Sequence, residues 1–291
     1  MINALTVDVE DYFHVQALAD VIRPVDWPSY PIRVERNTRR LLEMLEAYKV
    51  RATFFVLGWV AERCPALVRE IFAAGHEIGS HGYSHQMIGR GGQKEFREDV
   101  RRSKNLIEDQ LGMAVGIYRA PSYSITASTL WALDILGEEG IRIDSSIVPV
   151  VHDYYGLPGA PRFPHYRELK SGGQIAEFPP STVRAWRVNF PVAGGGYLRL
   201  FPYRVTAWAI RRINDKEKQP AMVYLHPWEI DPEQPRVACS WRSRFRHYQN
   251  LHSTEQKLTC LLREFSWAPM SEVLSRSLAD TRCNSEVSHG L

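Results

Sequence analysis

Five short runs in this 291-residue chain place acids, histidines and one arginine where they could share a reaction. The first is Asp8-Val9-Glu10-Asp11. Alternate side chains of an extended strand share a face, so Asp8 and Glu10 would lie together. Two close carboxylates suit one metal ligand and one general base; solvated acids capping a turn are the plainer explanation. The second run is His81-Gly82-Tyr83-Ser84-His85. Histidines four apart would fall on one side of a helical turn and could share a metal ion. With one carboxylate they form a facial site with open positions for water and substrate. The competing explanation is a chance surface pair, since the chain holds 10 histidines. The third is Tyr118-Arg119-Ala120-Pro121, whose guanidinium could hold a carboxylate bidentately. The fourth is Leu225-His226-Pro227-Trp228-Glu229, where His226 could protonate a leaving amine. The fifth, Asp144-Ser145-Ser146, could orient a histidine or bind a sugar hydroxyl, or simply form an Asx turn.

Each run follows an apolar segment that reads as a short strand. Residues 3–9, 52–57, 77–79, 115–118, 141–143, 175–178 and 221–225 are such segments. Between them, 34–47, 65–74, 94–111, 127–136 and 203–213 carry apolar residues at helical spacing. Pro65 suits a first turn and Gly75 a C-terminal stop. Strands alternating with helices imply a parallel sheet, and the number of units implies a barrel. In such a barrel functional groups gather at the C-terminal ends of the strands. From 148 to 202 the alternation weakens among prolines and glycines, including Gly194-Gly195-Gly196, which reads as loops over the active face. A polar stretch (231–252), a helix near 255–265 and a segment near 270–275 follow. The tail 277–291 is polar and expected to be disordered.

The bulk composition excludes several classes. With 36 basic and 33 acidic residues, the net charge of +3 supports neither a nucleic-acid partner nor an anionic surface. Cys64, Cys239, Cys260 and Cys283 form no C-x-x-C pair, which argues against a thiolate zinc site. No apolar run reaches the roughly 18 residues of a membrane span. The N-terminus shows no leader pattern, so a cytoplasmic location is expected.

In order and in kind, the five runs resemble the motifs of the NodB-homology polysaccharide deacetylases, carbohydrate esterase family 4, over residues 4–229. Thr6-Val7-Asp8 is similar to that family's opening, and Ser80 to His85 to its second motif, with Gly82 where a hydroxyl residue is common. The runs Asp8 to His14, Tyr118 to Ser122, Asp144 to Ser146, Gly194 to Arg199 and His226 to Asp231 look closer to one subgroup, found in exopolysaccharide loci associated with exosortase systems. The resemblance implies a distorted (β/α)7 barrel forming one catalytic domain over 1–276, with a subgroup extension over 230–276. It implies N-deacetylation of amino sugars in an exopolysaccharide or its precursor, the partner being that N-acetylated glycan. It implies one divalent cation, by default Zn2+ (Co, Ni, Fe or Mn being alternatives), held by His81, His85 and an acid. Asp8 would be the general base, Arg119 its partner, and His226 the acid toward the amine. Asp144 would assist His226 or the substrate, and a backbone N–H after Arg119-Ala120 would face the oxyanion.

Where the family usually has two adjacent aspartates, Val9 follows Asp8, so the metal-binding acid is Glu10 or Asp11; alternation favours Glu10. Replacing Asp8 or His226 is expected to cost catalysis at unchanged fold. Two rivals stay open: an allantoinase-like hydrolase of cyclic amides or ureides, and a non-catalytic sugar-binding protein. Tyr12, Phe13, Tyr83, Trp186, Tyr197 and Trp228 are candidate platforms for sugar rings.

Overall fold

The computed structural model describes residues 1–153, 155–192 and 194–278. The chain opens with β1 (Ile2–Val9), α1 (Val34–Ala47), β2 (Thr53–Val56), α2 (Gly58–Arg63), α3 (Pro65–Ala73) and β3 (Glu77–Ser80). Next come α4 (Gln93–Leu111), β4 (Ile117–Tyr118), α5 (Trp131–Glu138), β5 (Ile143–Asp144), β6 (His165–Glu168) and β7 (Gln174–Glu177). A hairpin of β8 (Thr182–Ala185) and β9 (Val188–Pro191) leads into α6 (Gly195–Leu200), α7 (Tyr203–Arg211) and β10 (Met222–Leu225). The chain then forms α8 (Trp241–Tyr248), α9 (Leu251–Glu264) and β11 (Ser266–Ala268).

The main sheet runs β10-β1-β2-β3-β4-β5-β7-β6, with β11 also paired to β1. All its neighbours are parallel except β6, which lies antiparallel on β7. Leaving aside β11, the seven parallel strands with their crossovers are the expected (β/α)7 pattern. The round of pairing stops short of closure. Between β7 and β10 the gap is spanned by irregular chain: Ser181 Oγ accepts the Met222 N–H (2.7 Å), and Gly194 bridges Tyr224. Gly194 has φ +138°, and a Cβ there would sit 1.8 Å from the Tyr224 carbonyl oxygen, so this approach requires glycine.

Alternation along β1 explains the layers. Leu5, Val7 and Val9 join Leu41 and Leu45 of α1 and Leu67 and Ile71 of α3 in the helix-facing core. Ala4, on the other face, packs with Phe55, Ile117 and Met222. Residues 270–278 are helical, and Met270, Val273, Leu274 and Leu278 join that inner cluster. With β11 pairing Ile2 to Ala4 of β1, this C-terminal segment sits by the N-terminal half of β1, away from the end of β1 that carries Asp8.

Several local expectations are corrected. The segment 148–202 is not only loop: it holds β6, the β8–β9 hairpin and α6, and the triple glycine enters a helix. Their strands carry exposed polar residues and miss the apolar signature. The polar stretch 231–252 contains α8, and α9 begins at Leu251 rather than 255. Helix α2, too short for periodicity to show, was not expected. Helicity reaches residue 278, past the expected start of the tail; the rest of the tail reading, 279–291, lies outside the described residues, as does Cys283. Cys64, Cys239 and Cys260 are free thiols.

Candidate metal and catalytic site

Five parallel strands deliver one functional side chain each at the same rim. Asp8 ends β1, His81 follows β3, Arg119 follows β4, Asp144 ends β5 and His226 follows β10. Glu10 lies just beyond β1, on the side of Asp8. One ligand atom each from Glu10, His81 and His85 lies within 4.8 Å of the others. His85 Nε2 and Glu10 Oε2 face each other at 2.6 Å, and both side chains are buried.

The donor set fits a divalent cation. His81 Nδ1 lies 2.9 Å from the Arg119 carbonyl oxygen, which fixes that nitrogen as the N–H and leaves Nε2 with its lone pair inward. Burial pulls the His81 pKa down to about 4, so its imidazole is neutral, the ligating form. Glu10 is held ionised: burial alone would raise its pKa, but His85, then His226 and His81, more than offset that. Trp228 Nε1 donates to Glu10 Oε1 (3.2 Å), which leaves Oε2 turned to His85 Nε2. A carboxylate oxygen and an imidazole nitrogen turned toward one another beside His81 present the ligand atoms of a two-histidine, one-carboxylate cation site.

The His81–His85 pair is not on a helical turn, as its spacing suggested. It lies in a loop whose residues Gly82 and His85 have φ of +69° and +51°. Asp99 of α4 holds this loop, accepting the Tyr83 N–H (2.7 Å), the Ser84 N–H (3.0 Å) and the Ser84 hydroxyl. A Cβ on residue 82 would meet Asp99 Oδ2 at 2.8 Å, so the glycine in place of a hydroxyl residue is what this clamp requires.

Asp11 is not with the ligands. Its carboxylate accepts backbone N–H groups of Tyr12 (2.9 Å), Arg33 (2.6 Å) and Val34 (2.8 Å), which ties the β1 loop to the start of α1. The chain turns after Glu10 and sends Asp11 to a structural task, so of the two acids left open Glu10 alone joins the cluster.

Behind the ligands lies a buried ionic layer. Arg119 is fully buried; its Nη1 donates to Asp8 Oδ1 (2.6 Å) and Thr6 Oγ1 (2.8 Å), its Nη2 to Ser145 Oγ (3.0 Å) and its Nε to the Ser145 carbonyl (3.2 Å). Phe55 lies beneath it, 4.0 Å from ring centre to guanidinium carbon. His226 Nε2 lies 3.8 Å from Asp8 Oδ2 and 3.6 Å from Glu10 Oε1. Burial lowers the His226 pKa, but Glu229, then Glu10 and Asp8, raise it to about 9. The imidazole is thus a proton carrier at neutral pH.

Asp144 is not beside His226. Ser146 Oγ donates to it (2.6 Å), and in the sheet it pairs with Glu177 of β7. Burial of this acid pair, opposed only in part by hydrogen bonds from Glu177 and Ser146, raises the Asp144 pKa to about 6. Burial and the neighbouring Asp144 carboxyl push Glu177 well above the usual range. The two carboxyls share a proton. A backbone N–H after Arg119-Ala120 was expected to face the oxyanion; the Ala120 N–H itself is taken by Ser146 Oγ (2.8 Å), and the next residue, Pro121, has no N–H to offer.

The acid pair has a stability consequence. A carboxyl raised in the folded state binds its proton more tightly than in the unfolded chain. Its stabilisation is complete below about pH 4 and is lost as pH rises through about 6. Glu177→Gln keeps the oxygen that accepts the Ser146 and Ile147 N–H groups and offers Asp144 an N–H in place of the shared proton, so the folded pair no longer has to hold a proton at pH 8. The variant is expected to be more stable than the parent by about 1–3 kcal/mol at pH 8 and close to it at pH 4. Thermal melts at the two pH values check this; equal or greater destabilisation at pH 8 contradicts it.

Two residues that carry this site escaped the sequence reading. Glu229 approaches His226 Nδ1 at 3.2 Å with Oε2, and Arg199 Nε donates to Glu229 Oε1 at 2.7 Å. Both lie in runs noticed for their resemblance but given no role. Of the six aromatic platform candidates, Tyr12, Phe13 and Trp228 are buried and Tyr83 and Tyr197 are partly covered. Only Trp186, at the hairpin tip, is freely exposed (93%).

Comparison with known proteins adds a family to this geometry. The polysaccharide deacetylase family matches residues 26–141, and a domain of unknown function, DUF3473, matches 145–275. A peptidoglycan-N-acetylglucosamine deacetylase of Bacillus cereus is 29% identical over 120 residues, 37% of this chain and 44% of that protein. A peptidoglycan deacetylase of Helicobacter pylori is 32% identical over 109 residues, 38% of this chain and 36% of that protein. The chain spans less than half the length of these curated relatives. Among solved structures, a candidate polysaccharide deacetylase from Mycobacterium smegmatis has the same fold: TM-score 0.62 at 18% identity, over 96% of this chain and 91% of that one. Peptidoglycan deacetylase PdaC of Bacillus subtilis superposes with TM-score 0.50 at 15% identity, over 100% and 97% of the two chains. A carbohydrate esterase family 4 pseudoenzyme from Bacillus anthracis does so with TM-score 0.50 at 16% identity, over 94% and 65%. A fold shared with a pseudoenzyme leaves catalysis to be argued from the site.

Proposed function

The chain belongs to the NodB-homology polysaccharide deacetylases of carbohydrate esterase family 4, and from that premise we propose that it hydrolyses N-acetyl groups on amino sugars of a bacterial exopolysaccharide or its precursor. The observation that carries this reading is the convergence of Glu10, His81 and His85, one cation's ligands, beside the Asp8–Arg119 pair and His226.

A divalent cation bound by Glu10, His81 and His85, zinc by default, would polarise the acetyl carbonyl and lower the pKa of water at the same centre. Asp8 is placed to take a proton from the attacking water. Arg119 fixes which Asp8 oxygen remains free: Oδ1 is engaged, and Oδ2 faces His226 and the cleft. His226 delivers a proton to the amide nitrogen as the C–N bond breaks, so that acetate and a neutral amine leave. The Ser146 hydroxyl and the Asp144–Glu177 pair lie behind this centre, supporting the backbone at Ala120.

The glycan assignment draws on the subgroup-like runs and the DUF3473 segment; the named relatives act on peptidoglycan. Metal-free hydrolysis of a cyclic amide would have no use for the Glu10, His81 and His85 cluster, and a purely sugar-binding protein would have no use for a poised His226. Among the described residues no helix is long and apolar enough to cross a membrane. The test is acetate release from N-acetylated oligosaccharides and from peptidoglycan fragments, with and without chelator. Chelator-sensitive release from the N-acetylated oligosaccharides supports the reading, and no release from any N-acetylated glycan overturns it.

A further inference from the structure

We infer that the segment matched as a domain of unknown function supplies the carboxylate that orients the general acid: Glu229, locked by Arg199, is the positioning residue for His226. This rests on the deacetylase reading above. Asp144 is occupied elsewhere, by Ser146 and Glu177, so the imidazole needs a different partner. Glu229 meets that need from three residues along the same turn. Its Oε2 accepts the His226 backbone N–H (3.0 Å) and stands 3.2 Å from Nδ1. A carboxylate at Nδ1 keeps the proton there and turns Nε2 toward Asp8, Glu10 and the cleft.

Glu229 is itself held. Arg199 Nε donates to Oε1, and the rest of the guanidinium donates to the carbonyls of Arg246 (2.9 Å), His247 (2.7 Å) and Gln249 (3.3 Å). Both side chains are almost fully buried. Trp228 lies between the His226 ring (5.1 Å, 21°) and the His247 ring (4.4 Å, 27°), and its indole N–H reaches Glu10. His247 Nε2 is in turn 2.7 Å from Gln234 Oε1. All these residues except Glu10 fall within 145–275. The barrel's first half therefore brings the cation ligands and the base, and the second matched segment brings the acid and what aims it. In the step itself the Nε2 proton passes to the amide nitrogen, the C–N bond breaks, and the other proton stays on Nδ1, facing the Glu229 carboxylate.

The experiment compares the full-length zinc-loaded protein with Glu229→Gln on two substrates: an N-acetylated chitooligosaccharide, and 4-nitrophenyl acetate, whose phenolate leaves without a proton. The ester rate also counts folded, loaded sites, so the amide-to-ester ratio is unaffected by partial misfolding. Positioning predicts that kcat for the amide falls about 10–100-fold more than kcat for the ester, within the range of general acid catalysis, with KM little changed. A parallel fall for both substrates overturns the proposal while leaving the deacetylase reading intact. A parent protein that cleaves the ester but no N-acetylated glycan overturns that reading and this proposal with it. Nitrogen NMR of His226 in the parent protein is an independent check: a proton resident on Nδ1 is expected, and a resident Nε2 proton with bare Nδ1 overturns the assignment.

Discussion

Glu10→Gln is expected to abolish stoichiometric cation binding and to lower deacetylation by about three orders of magnitude, equivalent to ~4 kcal/mol of transition-state stabilisation, with the fold retained. The fold is retained because the change is isosteric. The amide oxygen still accepts the Trp228 indole N–H, and the amide nitrogen takes the place of the carboxylate oxygen that faced His85 Nε2. Cation binding is lost because a neutral amide is a poor ligand and its N–H₂ would occupy the imidazole lone pair meant for the ion. Two imidazoles alone bind a divalent ion more weakly than two imidazoles and a carboxylate. Metal content after dialysis, thermal melting and acetate release on the same preparation check all three parts. A variant that keeps one tightly bound cation and parental activity removes Glu10 from the site.

The second large effect concerns Asp8. Asp8→Asn should lower kcat by about 10²–10⁴-fold, the usual contribution of a general base. Unlike the sequence-based expectation, it should not leave stability untouched. Asp8 is the only carboxylate hydrogen-bonded to the fully buried Arg119 among the described residues. Removing one partner of a buried pair strands the other charge, typically at a cost of about 3–5 kcal/mol. The ring of Phe55, Thr6 and Ser145 around the guanidinium places the loss toward the lower part of that range. Urea unfolding measures it. The double variant Asp8→Asn with Arg119→Met should recover part of the stability and none of the activity, since no buried charge is then unpaired. A stable Asp8→Asn single variant would mean that Arg119 is satisfied without it. Replacing His226, which is partly accessible and bears no such load, should cost activity far more than stability.

The same contrast shows which parts of this protein can be read from its residues. Strand ends were legible because parallel strands are buried on both faces and stand out as apolar runs, and because chemistry gathers where those runs stop. Asp8, His81, Arg119 and His226 were found in that way. Glu10 against Asp11 was a narrower matter: alternation points to Glu10, but only the turn that gives Asp11 three backbone N–H groups shows why its neighbour is spared for the cleft. The His81–His85 geometry was misread, since spacing of four suggests a helical turn while the real determinant is Gly82 against Asp99, seventeen residues away. Arg199 and Glu229 were invisible for the same reason. An arginine at the end of one short helix and a glutamate in a 3₁₀ turn carry no local signal of their meeting across thirty residues. Strands β6, β8 and β9 were hidden because they sit at edges, where alternation with polar residues imitates loop composition. Long-range polar pairing, unlike apolar periodicity, leaves no trace in the residues nearby.

Anomalous diffraction from a crystal of the protein soaked in Zn2+ tests the central claim most directly. One peak is predicted at about 2.0–2.2 Å from Glu10 Oε2 and the Nε2 atoms of His81 and His85, with Asp8 Oδ2 and His226 Nε2 near it but not bonded. A cation ligated by Asp11, or two imidazoles and a carboxylate that share no ion at all, would contradict it.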